Sequence, residues 1–150
     1  MAYSIAGSSS LGFADALIGV WRASAALTAL VGTQVHSSLP RDRATALPYV
    51  LVGRRDVRIG SVAMQKDGGE SGVWVDAWSD ENTPGEISEI LNAMRAACGR
   101  DVILNVPGFT MYAGSLACDD EQIIQESDGD MPQRAKYHGV QHWIAEFEVA

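Results

Sequence analysis

Apolar residues change rhythm along the chain, and the rhythm marks out its elements. From Phe13 they recur as Phe13, Leu17, Val20 and Trp21, the spacing of an amphipathic helix, with Asp15 in the first turn. Residues 1–12, with Ser8-Ser9-Ser10 among them, read as a loose N-terminal arm. Ser24 is placed to cap a second short helix through Leu27 and Leu30, and Gly32 to close it with a left-handed stop. Val35-His36 and Leu39-Pro40 form an extended piece broken by proline. The rhythm then shortens to two. Pro48-Tyr49-Val50-Leu51-Val52-Gly53 predicts a strand, and Val73-Trp74-Val75-Asp76-Ala77-Trp78 a second one with both tryptophans on one face. Residues 54–72, charged and glycine-rich, read either as a long loop or as an extended hairpin.

Thr83-Pro84-Gly85-Glu86 has the form of a capping box with proline at the first helical position. Behind it Ile87, Ile90, Leu91, Met94 and Cys98 make an apolar stripe that predicts a helix ended by Gly99. Residues 109–116, 122–125 and 139–149 predict three more strands. In the last, Trp143, Ala145, Phe147 and Val149 alternate with His142, Ile144, Glu146 and Glu148. The order α, α, β, β, α, β, β, β predicts an α+β domain over 1–150: a mixed, largely antiparallel sheet with helices packed on one face.

Composition narrows the class. The chain has 150 residues, 47% of them apolar and 20% charged, the profile of an ordinary globular domain. No apolar run reaches the ~18 residues of a membrane helix, so no membrane partner is expected. The first residues lack the basic and apolar regions of a secretion signal. Two cysteines, Cys98 and Cys118, predict reduced thiols and no disulfide framework.

Eleven basic against nineteen acidic residues give a net charge of −8, which argues against adhesive binding to nucleic acid. The charge is split. Residues 1–75 hold seven basic and five acidic side chains, whereas residues 76–150 hold four and fourteen. Arg41, Arg43, Arg54, Arg55 and Arg58 concentrate the positive charge; Asp119, Asp120, Glu121, Glu126, Asp128 and Asp130 concentrate the negative. Such blocks are either two solvated surfaces or two complementary faces suited to head-to-tail assembly.

No pattern of catalysis stands out. Cys98, Cys118, His138 and His142 lack zinc-site spacing, and on a strand the two histidines lie roughly 13 Å apart. Asp128-Gly129-Asp130 lacks the rest of a calcium loop and reads as a turn. His36, Ser37 and Ser38 are neighbours on extended chain and point apart, and the glycines at 68–72 precede no helix that would bind phosphate. No metal, cofactor or enzymatic activity is expected. Trp74 and Trp78 read as core beneath a helix, or else as an exposed patch at a subunit contact.

Several stretches together resemble a known family. Leu27-Thr28-Ala29-Leu30-Val31-Gly32-Thr33-Gln34-Val35, Leu39-Pro40 and Leu47-Pro48-Tyr49-Val50-Leu51-Val52-Gly53 are similar to the start of phage tail-terminator proteins. These are also called tail-completion or head–tail joining proteins, and occur in long-tailed phages and gene transfer agents. Val75-Asp76-Ala77-Trp78-Ser79, Met94-Arg95-Ala96-Ala97-Cys98 and Asp128-Gly129 followed by His138-Gly139-Val140 continue the likeness over about residues 14–149. The resemblance implies a non-enzymatic virion protein at the neck of the particle. It implies a six-membered ring that stops tail-tube polymerisation and docks the head connector, with DNA as passing cargo. Its implied partners are further copies of the chain, the tail-tube protein and the connector or stopper. The arginines would then serve subunit or tube contacts, and the acidic run would face the lumen or the next protomer. Another neck ring, an adaptor or stopper, fits the same residues. A stand-alone enzyme or ligand-binding domain with a groove near Trp74 and Trp78 is the reading from a different class.

Overall fold

The computed structural model describes residues 5–38, 46–59, 68–126 and 137–150. Three helices and six strands follow in the order α1 (Ile5–Ala23), α2 (Ala25–Val31), β1 (Val35–His36), β2 (Tyr49–Ile59), β3 (Gly68–Ser79), α3 (Gly85–Ala97), β4 (Phe109–Met111), β5 (Ala117–Gln125) and β6 (Tyr137–Val149). The sheet is mixed. β1 pairs parallel with β2, and every other pairing is antiparallel, in the order β1-β2-β3-β6-β4, with β5 also on β6. The α+β expectation matches this fold.

β6 organises the sheet. One edge takes β3 along its whole length; the other takes β5 from Tyr137 to Ile144 and β4 from Phe147 to Val149. Its alternation has the expected sense, for Trp143, Ala145 and Phe147 are buried with Val73, Val75 and Ala77 of β3 and Val50 and Val52 of β2. Phe13, Leu17 and Trp21 of α1 and Ile87, Ile90, Leu91 and Met94 of α3 cover that face. Aromatic edges lock the layers: Phe13 lies 5.6 Å from Phe147, and Trp21 meets Trp143 edge-on at 5.8 Å. The Trp21 indole donates to the Met94 carbonyl at 3.2 Å, tying α1 to α3. Arg22 donates from Nε and Nη2 to the Val35 carbonyl, at 3.1 and 2.6 Å, and so fastens β1 to α1.

Local signals held in part. The Ser24 hydroxyl accepts from the Leu27 N–H at 3.2 Å, and Gly32 at φ 60° closes α2 by donating to the Thr28 carbonyl. The capping box does not form. Pro84 occupies the N-cap position, α3 starts at Gly85 and ends before Cys98, and Glu86 accepts a hydrogen bond from the Ser79 hydroxyl at 2.7 Å instead of reaching back. Helix α1 begins at Ile5, inside the segment read as a loose arm. The 54–72 segment takes the hairpin alternative, with β2 running to Ile59 and β3 beginning at Gly68. Leu39 and Pro40 lie outside the described residues. Strand 109–116 stops at Met111 because Gly114, at φ 79°, turns the chain. β5 then starts at Ala117, five residues before its expected start, and takes in the acidic triplet.

Candidate functional site

The face of the sheet away from the helices is lined by aromatic and histidine rings. Trp74 and Trp78 stand here, half-buried, which overturns the reading that puts them in the core. Their β-branched neighbours Val73 and Val75 fit the narrow space under the helices. Cross-strand register sets Trp78 opposite His138 and Trp74 opposite His142. Trp78 stacks on His138 with centroids 3.7 Å apart and planes 7° from parallel, and Tyr49 extends the row, 6.4 Å from Trp78. Trp74 and His142 lie 4.4 Å apart. Burial, and then the negative charge of Asp76, push the Tyr49 phenol upward.

Carboxylates surround both histidines. His138 Nε2 is 2.6 Å from Asp76 Oδ1 and its Nδ1 is 3.3 Å from Glu126 Oε1; His142 Nδ1 is 2.5 Å from Asp119 Oδ1. No group of three or more potential ligands converges on a metal-sized point among the described residues.

The acidic run is therefore not one uniform patch. The β5 bulge between Cys118 and Asp120 sends Asp119 to His142, and Glu126 turns to His138. Glu121 goes to the other face, where it pairs with Arg95 of α3 and accepts from Gln141 Nε2 at 2.7 Å. Asp120 is exposed, and so are Ile123 at 44% and Ile124 at 39% on the same strand. Asp128 and Asp130 lie outside the described residues, as do Arg41 and Arg43. Arg54, Arg55 and Arg58 all belong to β2, with Arg55 paired to Val73 and Arg58 to Glu70. The structure thus sets the β2 arginines and the β5 carboxylates on strands that flank the central β3–β6 pair from opposite sides.

The cysteines are free. Burial pushes the Cys98 thiol to about 12, and the Cys118 thiol to about 11 with help from Glu121. Both are poor nucleophiles.

Sequence comparison identifies the group. The model of the family "Tail completion protein gp17" matches residues 15–136. The chain belongs to this family. Its members are structural proteins of phage tails, the class named by the resemblance in the sequence. Among solved structures, a chain in "Virion of native gene transfer agent (GTA) particle" shares the fold with a TM-score of 0.75. It is 20% identical over 98% of this chain and 99% of that one. No curated protein sequence matches.

Sequence reasoning missed two features of this family member. The tryptophan–histidine ladder needed the β3–β6 register, although the equal spacing of Trp74 and Trp78 and of His138 and His142 was visible. Gln141 was legible too: it shares parity with Trp143, so a fully buried amide stood in the core row.

Proposed function

We propose that this tail completion family member is a tail terminator: a six-membered ring at the head-proximal end of a tail tube. The ring stops tube growth, docks the head connector and lets DNA through its lumen. The family match across residues 15–136 carries this reading. The fold shared with a chain of a gene transfer agent virion accords with it.

The physics of the chain suits a conduit. A net charge of −8 repels a polyanion, and carboxylates within a Debye length of about 8–10 Å of passing DNA keep it from sticking. In this reading Asp120, which is exposed, faces the lumen or the next protomer, and so do Asp128 and Asp130. The arginines of residues 41–58 meet a neighbouring subunit or the tube. Assembly takes place in the host cytoplasm, and the finished ring resides in the virion neck.

Native mass spectrometry and electron microscopy of the purified chain test the ring. Six copies of the 16.0 kDa chain in a closed ring are expected. A monodisperse monomer at high concentration refutes it, because self-association follows mass action. Particles lacking the protein should carry unjoined or overlong tails. Correctly joined tails of normal length in its absence remove the terminator role.

A further inference from the structure

We propose that neighbouring copies join edge to edge, with residues 117–121 of β5 in one protomer adding antiparallel to residues 52–56 of β2 in the next. One sheet would then run continuously around the assembly. The inference rests on the ring reading and specifies its contact.

Among the described residues, both strands present one unpaired edge. β1 covers β2 only at Val50 and Leu51, so residues 52–59 have β3 on one side and no strand on the other. β5 has β6 on one side and no strand on the other. Each edge is a row of backbone donors and acceptors ready to accept another strand. Directions agree as well. Successive antiparallel pairings make β2 and β6 run one way and β3 and β5 the other. A copy related by rotation about an axis along the strands therefore brings its β2 antiparallel to β5, the better-bonded arrangement.

Charge and height complete the match. β2 carries Arg54, Arg55 and Arg58 with one acid, Asp56; β5 carries Asp119, Asp120 and Glu121 with no base, and of these Asp120 is the one the protomer does not turn to His142 or Arg95. Arg55 aligns through Val73 and Trp143 with Cys118, and Val52 through Val75 and Gln141 with Glu121, so with no shift along the strands the positions of Arg54 and Arg55 come level with the acidic triplet, while Arg58 lies beyond the start of β5. Both edges also carry a bulge at this height. Gly53 and Arg54 oppose the single Trp74, and Asp119 is the extra residue beside His142, the partner of Trp74. A bulge discourages pairing with a flat strand, so neither edge is open to indiscriminate strand addition. The contact is heterologous, as ring closure requires.

The test uses Arg55→Asp and Asp120→Arg, each checked for folding by circular dichroism, with assembly followed by sedimentation. Each variant alone is expected to associate at least tenfold more weakly than the natural chain. An equimolar mixture is expected to recover rings of even copy number, because one junction is natural and the next charge-swapped. Hydrogen exchange on the natural chain is expected to slow at least tenfold across 52–56 and 117–121 on assembly. A natural chain that stays monomeric sinks the ring reading and this contact with it. If the natural chain forms rings but the folded variants assemble equally well, the edge contact alone is wrong. Failure of the mixture to recover, or protection confined to other segments, overturns it in the same way. Should a variant not fold, the exchange pattern of the natural chain decides.

Discussion

Gln141 is the point at which the core depends on a single amide, and its removal has a calculable cost. The side chain is fully buried on β6. Its Nε2 donates to the Leu91 carbonyl at 3.1 Å and to Glu121 Oε1 at 2.7 Å, and its Oε1 accepts from the Trp143 indole at 2.9 Å. An indole only donates, while carbonyl and carboxylate only accept, so the amide has one workable orientation. Gln141→Leu keeps the volume near constant but strands the indole N–H of Trp143, itself 1% exposed. An orphaned buried donor costs about 1–3 kcal/mol, and the two donated bonds add up to about 1 kcal/mol each, partly offset by the apolar replacement. A net loss of about 2–3 kcal/mol is expected. For a chain of this size it lowers Tm by roughly 4–12 °C. Urea denaturation of Gln141→Leu, Trp143→Phe and the double variant isolates the term. With the indole gone, Gln141→Leu should cost at least ~1 kcal/mol less. Equal cost in both backgrounds refutes the reasoning.

Three other perturbations probe different parts of the structure. At Gly139 an added Cβ would lie 2.9 and 3.0 Å from the two Leu91 δ-carbons and 3.1 Å from Ile87 Cγ1, so Gly139→Val should cost more than about 2 kcal/mol by overpacking β6 against α3. A chemical-denaturation midpoint equal to that of the natural chain contradicts that packing. Ser24→Ala removes the α2 cap and should cost about 1 kcal/mol, with Ser24→Asp near neutral in the same melt. At pH 8 Cys118 and Cys98 should react with a disulfide reagent roughly 100-fold and 1000-fold more slowly than in urea, since their thiols sit at about 11 and 12 against an ordinary 9.0. Because both folded values are raised, the associated stability is complete below about pH 9 and falls as pH climbs toward about 12. Native labelling within tenfold of the unfolded rate contradicts their burial.

The alternation of β6 and the stripe of α3 were legible because burial repeats with the period of the element. What stayed hidden depended on distant residues. Residues 73–78 place large apolar side chains on both faces, and only Asp76, between the two tryptophans on their face, marks which one the helices leave open. Cys118–Glu121 reads poorly as a strand because aspartate and glutamate disfavour one, yet pairing with β6 overrides that preference. Glu86 matched the capping pattern, but Ser79, seven residues upstream, claims its carboxylate. The split of charge between β2 and β5 was visible as a halving of the sequence. Its meaning as two edges of one sheet came only with the strand order.

The central position of β6 also sets a timetable. The β2–β3 hairpin closes between neighbours in sequence, but β3 next pairs with a strand that begins 58 residues after it ends, and among the described residues β4 and β5 have no other partner strand. Closing so long a loop precedes any gain from the pairing, so docking of β6 is the expected slow step of folding. Until it docks, the Val73, Val75 and Ala77 row lacks its neighbour and both flanks of the unfinished sheet are open. In the edge-to-edge assembly proposed above, that interval is when a wrong edge can be joined, and prompt arrival of β6 limits premature association.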